Sequence, residues 1–139
     1  MFKFGVTINL NPLRKKERTG PQLTKQMLLD SPPAVLTRRQ YYSQVQALFD
    51  PTGFLAPVLL RGKVLLRRTW EEPCNKLGWD DDLPSALKED ILQFFIDLYE
   101  LEELEFPRSL WPQEAVVGDP WIISFSDGSC LGFGGVVYI

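Results

Sequence analysis

An apolar stripe in residues 84–101 constrains the fold of this chain more than any other feature of the sequence. Its members recur at intervals of three and four residues, and acidic residues fill many of the positions between them. The stripe consists of Leu87, Ile91, Phe94, Phe95, Leu98 and Leu101. Such spacing predicts an amphipathic helix with one buried face. We therefore expect this stretch to be core, and not a cofactor site.

Two further helices are predicted upstream of this stripe. Thr37 and Gln40 have the spacing of a capping box, which predicts that a helix begins after Thr37. Residues 50–53, Asp-Pro-Thr-Gly, indicate a turn, and a second helix is expected from near Ala56, with Pro57 in its first turn. The apolar residues of the second helix lie around much of its circumference. We therefore expect it to be buried on more than one side.

Strand patterns flank the helical region. Phe2, Phe4, Val6 and Ile8 alternate with smaller or polar residues, which predicts a half-buried strand. Residues 121–127 alternate in the same way, residues 128–132 form a turn, and residues 133–139 read as a returning strand. Residues 11–35 are basic and contain prolines, so we expect a linker without a helix. The predicted fold is α+β: an N-terminal strand, three helices and a C-terminal β-hairpin.

The distribution of charge admits two interpretations. Residues 1–70 contain 12 Lys and Arg against 3 Asp and Glu, whereas residues 71–139 contain 3 against 15, and the net charge is -3. The basic half could follow a phosphate backbone, or the two halves could attract each other. Within the second predicted helix the basic residues, which either keep their heads in water or contact phosphates, are Arg61, Lys63, Arg67 and Arg68.

Several classes of protein are excluded or disfavoured by composition. The chain has no histidine, which excludes histidine-based triads and histidine metal ligands within it. Its two cysteines are far apart and fit free thiols in a reducing compartment. Neither a signal peptide nor an apolar run long enough to span a membrane occurs. We expect an intracellular, cytoplasmic location and no membrane partner.

Two acidic features invite a metal hypothesis. Residues 80–82 are three consecutive aspartates, but an aspartate before a proline-led helix is more often a helix cap. Asp127 continues the apolar face of a predicted strand directly before a glycine turn. A carboxylate there either accepts hydrogen bonds in the turn or binds a cation, and the pattern alone favours the turn.

The motif around Asp127 resembles the first β-hairpin of ribonuclease H domains. Further motifs follow one another along the chain at residues 2–6, 36–40, 49–57, 61–66, 77–84, 106–108 and 124–127. In this order they resemble the polymerase region of BEL/Pao-type retrotransposons that follows the reverse transcriptase palm. The resemblance implies that Asp127 is the first of four carboxylates that hold two divalent ions, Mg²⁺ or Mn²⁺, in a complete ribonuclease H domain. We expect no ion to be bound by this fragment alone.

The resemblance also implies a division of the chain. Residues 1–10 would end a palm-side strand, 11–35 would be a basic linker, 36–106 a thumb/connection region, 107–120 a connector, and 121–139 the start of a ribonuclease H sheet. The partners would be an RNA–DNA hybrid or template–primer and the remainder of the polyprotein. The residues expected to contact nucleic acid are Arg38, Arg39, Arg61, Lys63, Arg67, Arg68, Gly128 and Ser129.

Three functions are consistent with these observations to different degrees. In the first, the chain is an inactive fragment of a reverse transcriptase/ribonuclease H. In the second, it is a non-catalytic module that binds nucleic acid. The third is an aspartic peptidase, because this family region is also known as the Pao retrotransposon peptidase. The residues do not support it, since neither Asp50-Pro51-Thr52-Gly53 nor Asp127-Gly128-Ser129 is the Asp-Thr-Gly or Asp-Ser-Gly loop that such enzymes use in pairs.

Overall fold

The computed structural model of the chain describes residues 1–14, 17–18, 20–106, 118–119 and 121–138. Four α-helices are present in these ranges: α1 (Lys25–Asp30), α2 (Arg38–Gln46), α3 (Ala56–Arg68) and α4 (Ser85–Glu100). The strands are β1 (Phe2–Lys3), β2 (Leu13–Arg14), β3 (Glu17–Arg18), β4 (Glu105–Phe106), β5 (Ile123–Gly128) and β6 (Phe133–Tyr138). They form three antiparallel pairs, β1–β4, β2–β3 and β5–β6. The predicted α+β class, with its three central helices and C-terminal hairpin, is confirmed.

Helix α4 lies at the centre of the core. Every residue of the predicted stripe is buried, and Ile91, Phe94, Phe95 and Leu98 are inaccessible to solvent. Tyr41 of α2 packs on Phe95 with ring centroids 5.8 Å apart, and its hydroxyl donates to the Gly62 carbonyl at 2.8 Å. The prediction that this stripe is core is therefore confirmed.

Helix α3 approaches α4 closely at a glycine. An added Cβ at Gly62 would lie 2.6 Å from the Phe94 ring, so the missing side chain sets the distance between the two helices. The buried residues of α3 are Gly62, Leu65 and Leu66, whereas Leu60 is 36% exposed. The expectation that α3 is buried on several sides is wrong, because α3 presents only one face to α2 and α4.

The N-terminal segment is extended but is not the strand that was predicted over residues 2–8. Only Phe2–Lys3 pairs with another strand, β4. Farther along, the Gln44 carboxamide takes the place of a neighbouring strand, since its oxygen accepts from the Asn9 N–H at 3.0 Å and its nitrogen donates to the Thr7 carbonyl at 2.7 Å. The alternating pattern is still meaningful, because it buries Ile8 and its neighbours on the same face.

The predicted linker over residues 11–35 contains a helix, so the expectation of a segment without one is wrong. The Thr24 hydroxyl caps α1 by accepting from the Met27 N–H at 3.2 Å. Leu28 is 3% exposed, and Lys25 forms an ion pair with Glu100 of α4. The helix is too short for its apolar spacing to be visible in the sequence, and its contacts with α4 stabilise it. No helix in the described ranges has both the length and the apolar character needed to cross a membrane.

Candidate functional site

The C-terminal hairpin presents the predicted ribonuclease H motif. Asp127 lies opposite Gly134 and Gly128 opposite Phe133 in the β5–β6 register. All residues of both strands are exposed, including Phe125 at 61% and Phe133 at 90%. A two-stranded hairpin with apolar side chains on its surface is marginal on its own. The hairpin therefore has the character of a sheet that needs further strands or another covering element.

Asp127 stands at the end of β5, at the position expected from the motif. Its Oδ1 accepts from the Gly128 N–H at 2.8 Å, which is the turn interaction that the local pattern favoured. Within the described ranges, no group of three or more His, Cys, Asp or Glu residues could hold a metal ion. Magnesium takes six oxygen ligands, some of them waters, in a nearly octahedral shell. The residues described here thus do not fit a complete divalent-ion site, and no step of a reaction follows from them.

Gly128 and Ser129 shape the turn next to Asp127. The Ser129 N–H donates to the Gly132 carbonyl at 2.8 Å, and the Ser129 hydroxyl accepts from the Leu131 N–H at 3.2 Å. Both residues are exposed at the end of the hairpin. They are accessible to a nucleic-acid backbone, but the turn hydrogen bonds of the Ser129 hydroxyl account for a serine at this position equally well.

Arg38 was expected to contact nucleic acid, but its side chain is buried in the protein. It is 4% exposed, and its guanidinium donates to the carbonyls of Leu77 at 2.9 Å, Cys74 at 2.8 Å and Thr69. Its Cζ also lies 4.8 Å from the centre of the Trp70 ring. Arg38 therefore organises the loop after α3, and its guanidinium is not presented to an external phosphate.

The four basic residues of α3 are on the surface, but most of them are paired. Arg61 pairs with Asp97, and Arg68 pairs with Asp90 at 2.6 Å, so both link α3 to α4. Arg67 pairs with Glu71 one turn further along the chain, at 3.0 Å. Lys63 is exposed and forms no ion pair with any of the described residues.

These pairs are part of a wider neutralisation between the two halves of the sequence. Of the seven ion pairs among the described residues, six join a cation from residues 1–70 to a carboxylate from residues 71–139. The Lys3 ammonium, for example, lies 2.7 Å from Glu105 and lowers the pKa of that carboxyl through their hydrogen bond. The structure thus supports mutual attraction of the two halves as one consequence of the charge asymmetry.

The three consecutive aspartates have three different structural partners. Asp80 accepts two hydrogen bonds from the Arg39 guanidinium, at 2.7 and 2.9 Å, and these lower the pKa of Asp80. Asp81 accepts from the Gly78 N–H at 2.7 Å. Their carboxylates are therefore committed to protein partners and do not converge on a shared point.

Asp82 joins three parts of the chain. It accepts from the Lys88 ammonium at 2.7 Å and from the Leu36 N–H at 2.9 Å, and the pKa of its carboxyl is lowered first by the bond from Lys88. The residue at the N-cap of α4 is Pro84, and no side chain caps that helix. The prediction of an aspartate cap is therefore wrong, because Asp82 stands before the cap position and connects α4 to Leu36, the residue before the N-cap of α2.

An aromatic cluster lies on the helical body, the part of the chain formed by α2, α3, α4 and the loops between them. It was not predicted from the sequence. Tyr42, Trp70 and Trp79 form it, with ring centroids 5.8 Å apart for Tyr42–Trp79 and 5.7 Å apart for Trp70–Trp79. Each residue is 42% exposed, and Arg39 lies over the Trp79 ring. Tyr42 lies in α2, whereas Trp70 and Trp79 lie in the segment between α3 and α4, so no spacing in the sequence indicates that the three rings meet.

Comparison with known proteins agrees with the motifs. The family model described as the Pao retrotransposon-like RNaseH-like domain matches residues 37–139, which is more than half of the chain. Searches of curated proteins and of solved structures found no match. The matched range begins at Thr37, the N-cap of α2, and includes the hairpin with Asp127. The chain belongs to the family of Pao retrotransposon-like RNaseH-like domains.

Proposed function

We propose that this chain is a segment of a retrotransposon reverse transcriptase/ribonuclease H polyprotein that helps to hold the RNA–DNA template–primer and contributes Asp127 to the ribonuclease H site. The observation that carries the proposal is the position of Asp127, at the end of β5 in an antiparallel hairpin that lies inside the family match. The other parts of the proposal rest on the resemblance and on the surface charges of the helical body.

Nucleic-acid binding would use the exposed cations. Arg39, Arg61, Arg67 and Arg68 form ion pairs in which both side chains are at least one third exposed. Pairs of this kind contribute only about 0–1 kcal/mol, so a phosphate can replace the carboxylate at little cost. Lys63 needs no such exchange. Arg38 is left out of the proposed contact surface because its guanidinium is buried.

The metal-dependent part of the proposal requires ligands from outside the described residues. In a complete ribonuclease H domain, two Mg²⁺ or Mn²⁺ ions activate a water and stabilise the leaving oxygen. Asp127 would supply one carboxylate, and the Gly128 N–H would orient it through their hydrogen bond. The remainder of the polyprotein would supply the other ligands and the strands that cover the hairpin.

A non-catalytic nucleic-acid-binding module is the second candidate, favoured by the exposed cations of α2 and α3. The peptidase is not proposed. Asp50 uses both carboxylate oxygens to close the loop between α2 and α3, accepting from the N–H groups of Gly53 and Leu55, each at 2.9 Å. A carboxylate held in this way is a loop residue, not half of a catalytic dyad.

Binding and cleavage of a labelled RNA–DNA hybrid test the proposal together. We expect binding that weakens steeply as salt rises, and Lys63→Gln should reduce the salt slope by about one unit. Lys3→Gln, which removes a cation on β1, is the matched control and should leave the slope unchanged. The absence of binding at low salt would contradict the proposed role.

The same hybrid tests whether one carboxylate suffices for catalysis. With Mg²⁺ present, we expect the chain alone to leave the hybrid uncut. Cleavage that Asp127→Asn abolishes would show that the chain assembles a working site and would overturn this expectation.

A further inference from the structure

We propose that the aromatic cluster of Tyr42, Trp70 and Trp79, together with Arg39, binds single-stranded nucleic acid by stacking of bases on the rings. This surface shares Arg39 with the cations of the proposed function, but it includes none of the cations of α3 and no residue of the hairpin. The inference goes beyond holding a duplex template–primer, because it assigns a different ligand to aromatic rings that have no part in that function.

The exposure of the rings is the first argument. Trp70 and Trp79 meet nearly at right angles, with an interplanar angle of 80°, and Tyr42 meets Trp79 at 89°. All three residues remain 42% exposed although they are among the largest apolar side chains in the chain. Packing alone would favour their burial. The cluster therefore offers aromatic surface to a ligand.

The cations beside the rings indicate the chemistry of that ligand. Arg38 lies over Trp70 at 4.8 Å, and Arg39 lies over Trp79 at 5.7 Å. A lysine-rich peptide or a quaternary ammonium would bind through the aromatic faces, but the guanidinium groups already there would repel its positive charge. A nucleotide presents a flat base to the aromatic surface and a negative phosphate to Arg39, so it suits both features.

A cleft with a mixed polar and apolar lining lies next to the cluster and extends this surface. Its volume is 360 Å³, and Arg39 lies both in its wall and over the Trp79 ring. Its amide and hydroxyl groups, from Asn11, Gln40 and Ser43, stand among the apolar side chains of Leu10 and Pro12 and beside the Asp80 carboxylate. Such groups suit the sugar and base edges of a strand whose neighbouring bases stack on the rings. Bases within a duplex are already stacked on each other, so the ligand is a single strand.

Asp80 competes with a bound strand for Arg39. The Arg39–Asp80 pair is exposed, with side-chain accessibilities of 61% and 72%, and a phosphate would have to replace the carboxylate. Exposed pairs are weak, so this exchange costs little. Removing the charge of Asp80 should therefore strengthen binding, a result that damage to the fold would not produce.

The test is fluorescence anisotropy of the full chain with a labelled oligothymidine of about 12 nucleotides, a length within the range that single-strand binders cover. We expect Trp79→Ala to weaken binding by about tenfold or more, the loss typical of one stacked base. Trp121→Ala, which removes an exposed tryptophan preceding β5, should have no effect. Asp80→Asn should tighten binding by about two- to fivefold.

Equal affinities of the Trp79→Ala and Trp121→Ala variants would overturn the inference, as would an Asp80→Asn variant with no gain. Specific binding of a proline-rich peptide at Trp79, without binding of the oligothymidine, would assign the surface to a protein partner and would also overturn it. The RNA–DNA hybrid distinguishes this inference from the proposed function. Hybrid binding should persist in Trp79→Ala, whereas its loss from the wild-type chain would contradict only the proposed function.

Discussion

Replacement of Arg38 by methionine should destabilise the fold, whereas the same change at the adjacent Arg39 should not. Methionine keeps an unbranched stem and a good helix propensity, so the comparison isolates the guanidinium. Both residues lie in the first turn of α2, but Arg38 is buried and Arg39 is exposed. The two variants therefore compare the loss of a buried guanidinium with the loss of an exposed one at adjacent positions.

The size of the effect follows from the groups that Arg38 leaves behind. The buried Thr69 carbonyl loses its donor, and an unsatisfied buried carbonyl costs about 1–3 kcal/mol. The Cys74 carbonyl still accepts from the Leu77 N–H at 3.0 Å, so there the change removes a charge-assisted bond without leaving the oxygen unpaired. Part of this cost is offset, because the mutation also removes a buried positive charge whose solvation is lost on folding. The Nε atom of Arg38 has no hydrogen-bond partner among the residues that the structure describes. We expect a loss of about 2–4 kcal/mol for Arg38→Met and no resolvable loss for the exposed Arg39→Met.

Urea unfolding followed by circular dichroism measures both variants. Typical domains have a free energy of unfolding of about 5–15 kcal/mol, so the expected loss at Arg38 is large enough to shift the midpoint clearly. A difference of less than about 1 kcal/mol between the two variants would refute the reasoning that the Arg38 guanidinium supports the loop carbonyls.

Two other predictions concern links between distant parts of the chain. Gln44→Leu should lower the free energy of unfolding by about 2–3 kcal/mol, because the Asn9 N–H and the Thr7 carbonyl lose their partner. Gln46→Leu, on the exposed side of α2, is the control. Equal urea unfolding curves for the two variants would contradict the prediction. The lowered pKa of Asp82 means that its ionised form stabilises the folded state. This stabilisation is present above the ordinary value of 3.8 and is lost as pH falls through the lower folded pKa. Asp82→Asn should therefore reduce the acid sensitivity of the unfolding midpoint, whereas Glu89→Gln should not, and identical pH profiles for the two variants would exclude this role for Asp82.

Local signals were sufficient for the helical body. The Thr37–Gln40 capping box is present with both of its hydrogen bonds, and Pro57 lies in the first turn of α3. These features work because a helix cap and an apolar stripe are made by residues close together in the sequence. The hairpin was predictable for the same reason, since its turn and its alternating strands are adjacent.

The candidate site was only partly predictable. Asp127 lies where the motif indicated, but no pattern in the sequence separates Arg38 from Arg39, since they are adjacent residues in the first turn of the same helix. Their difference arises from the loop after α3, whose carbonyls surround Arg38, and from Asp80, which holds Arg39 at the surface. The expected connector over residues 107–120 lies almost entirely outside the described residues and stays a prediction.

By itself, the sequence determined the three central helices, the hairpin with its glycine-containing turn and the position of the motif aspartate, because each depends on residues within a few positions of one another. Only the tertiary structure decided which charges are buried, which face of α3 is covered and which aromatic rings meet. It also decided that the segment after β1 is held by the Gln44 side chain and not by a strand. These properties depend on residues far apart in the chain, and no local pattern records which of them pack together.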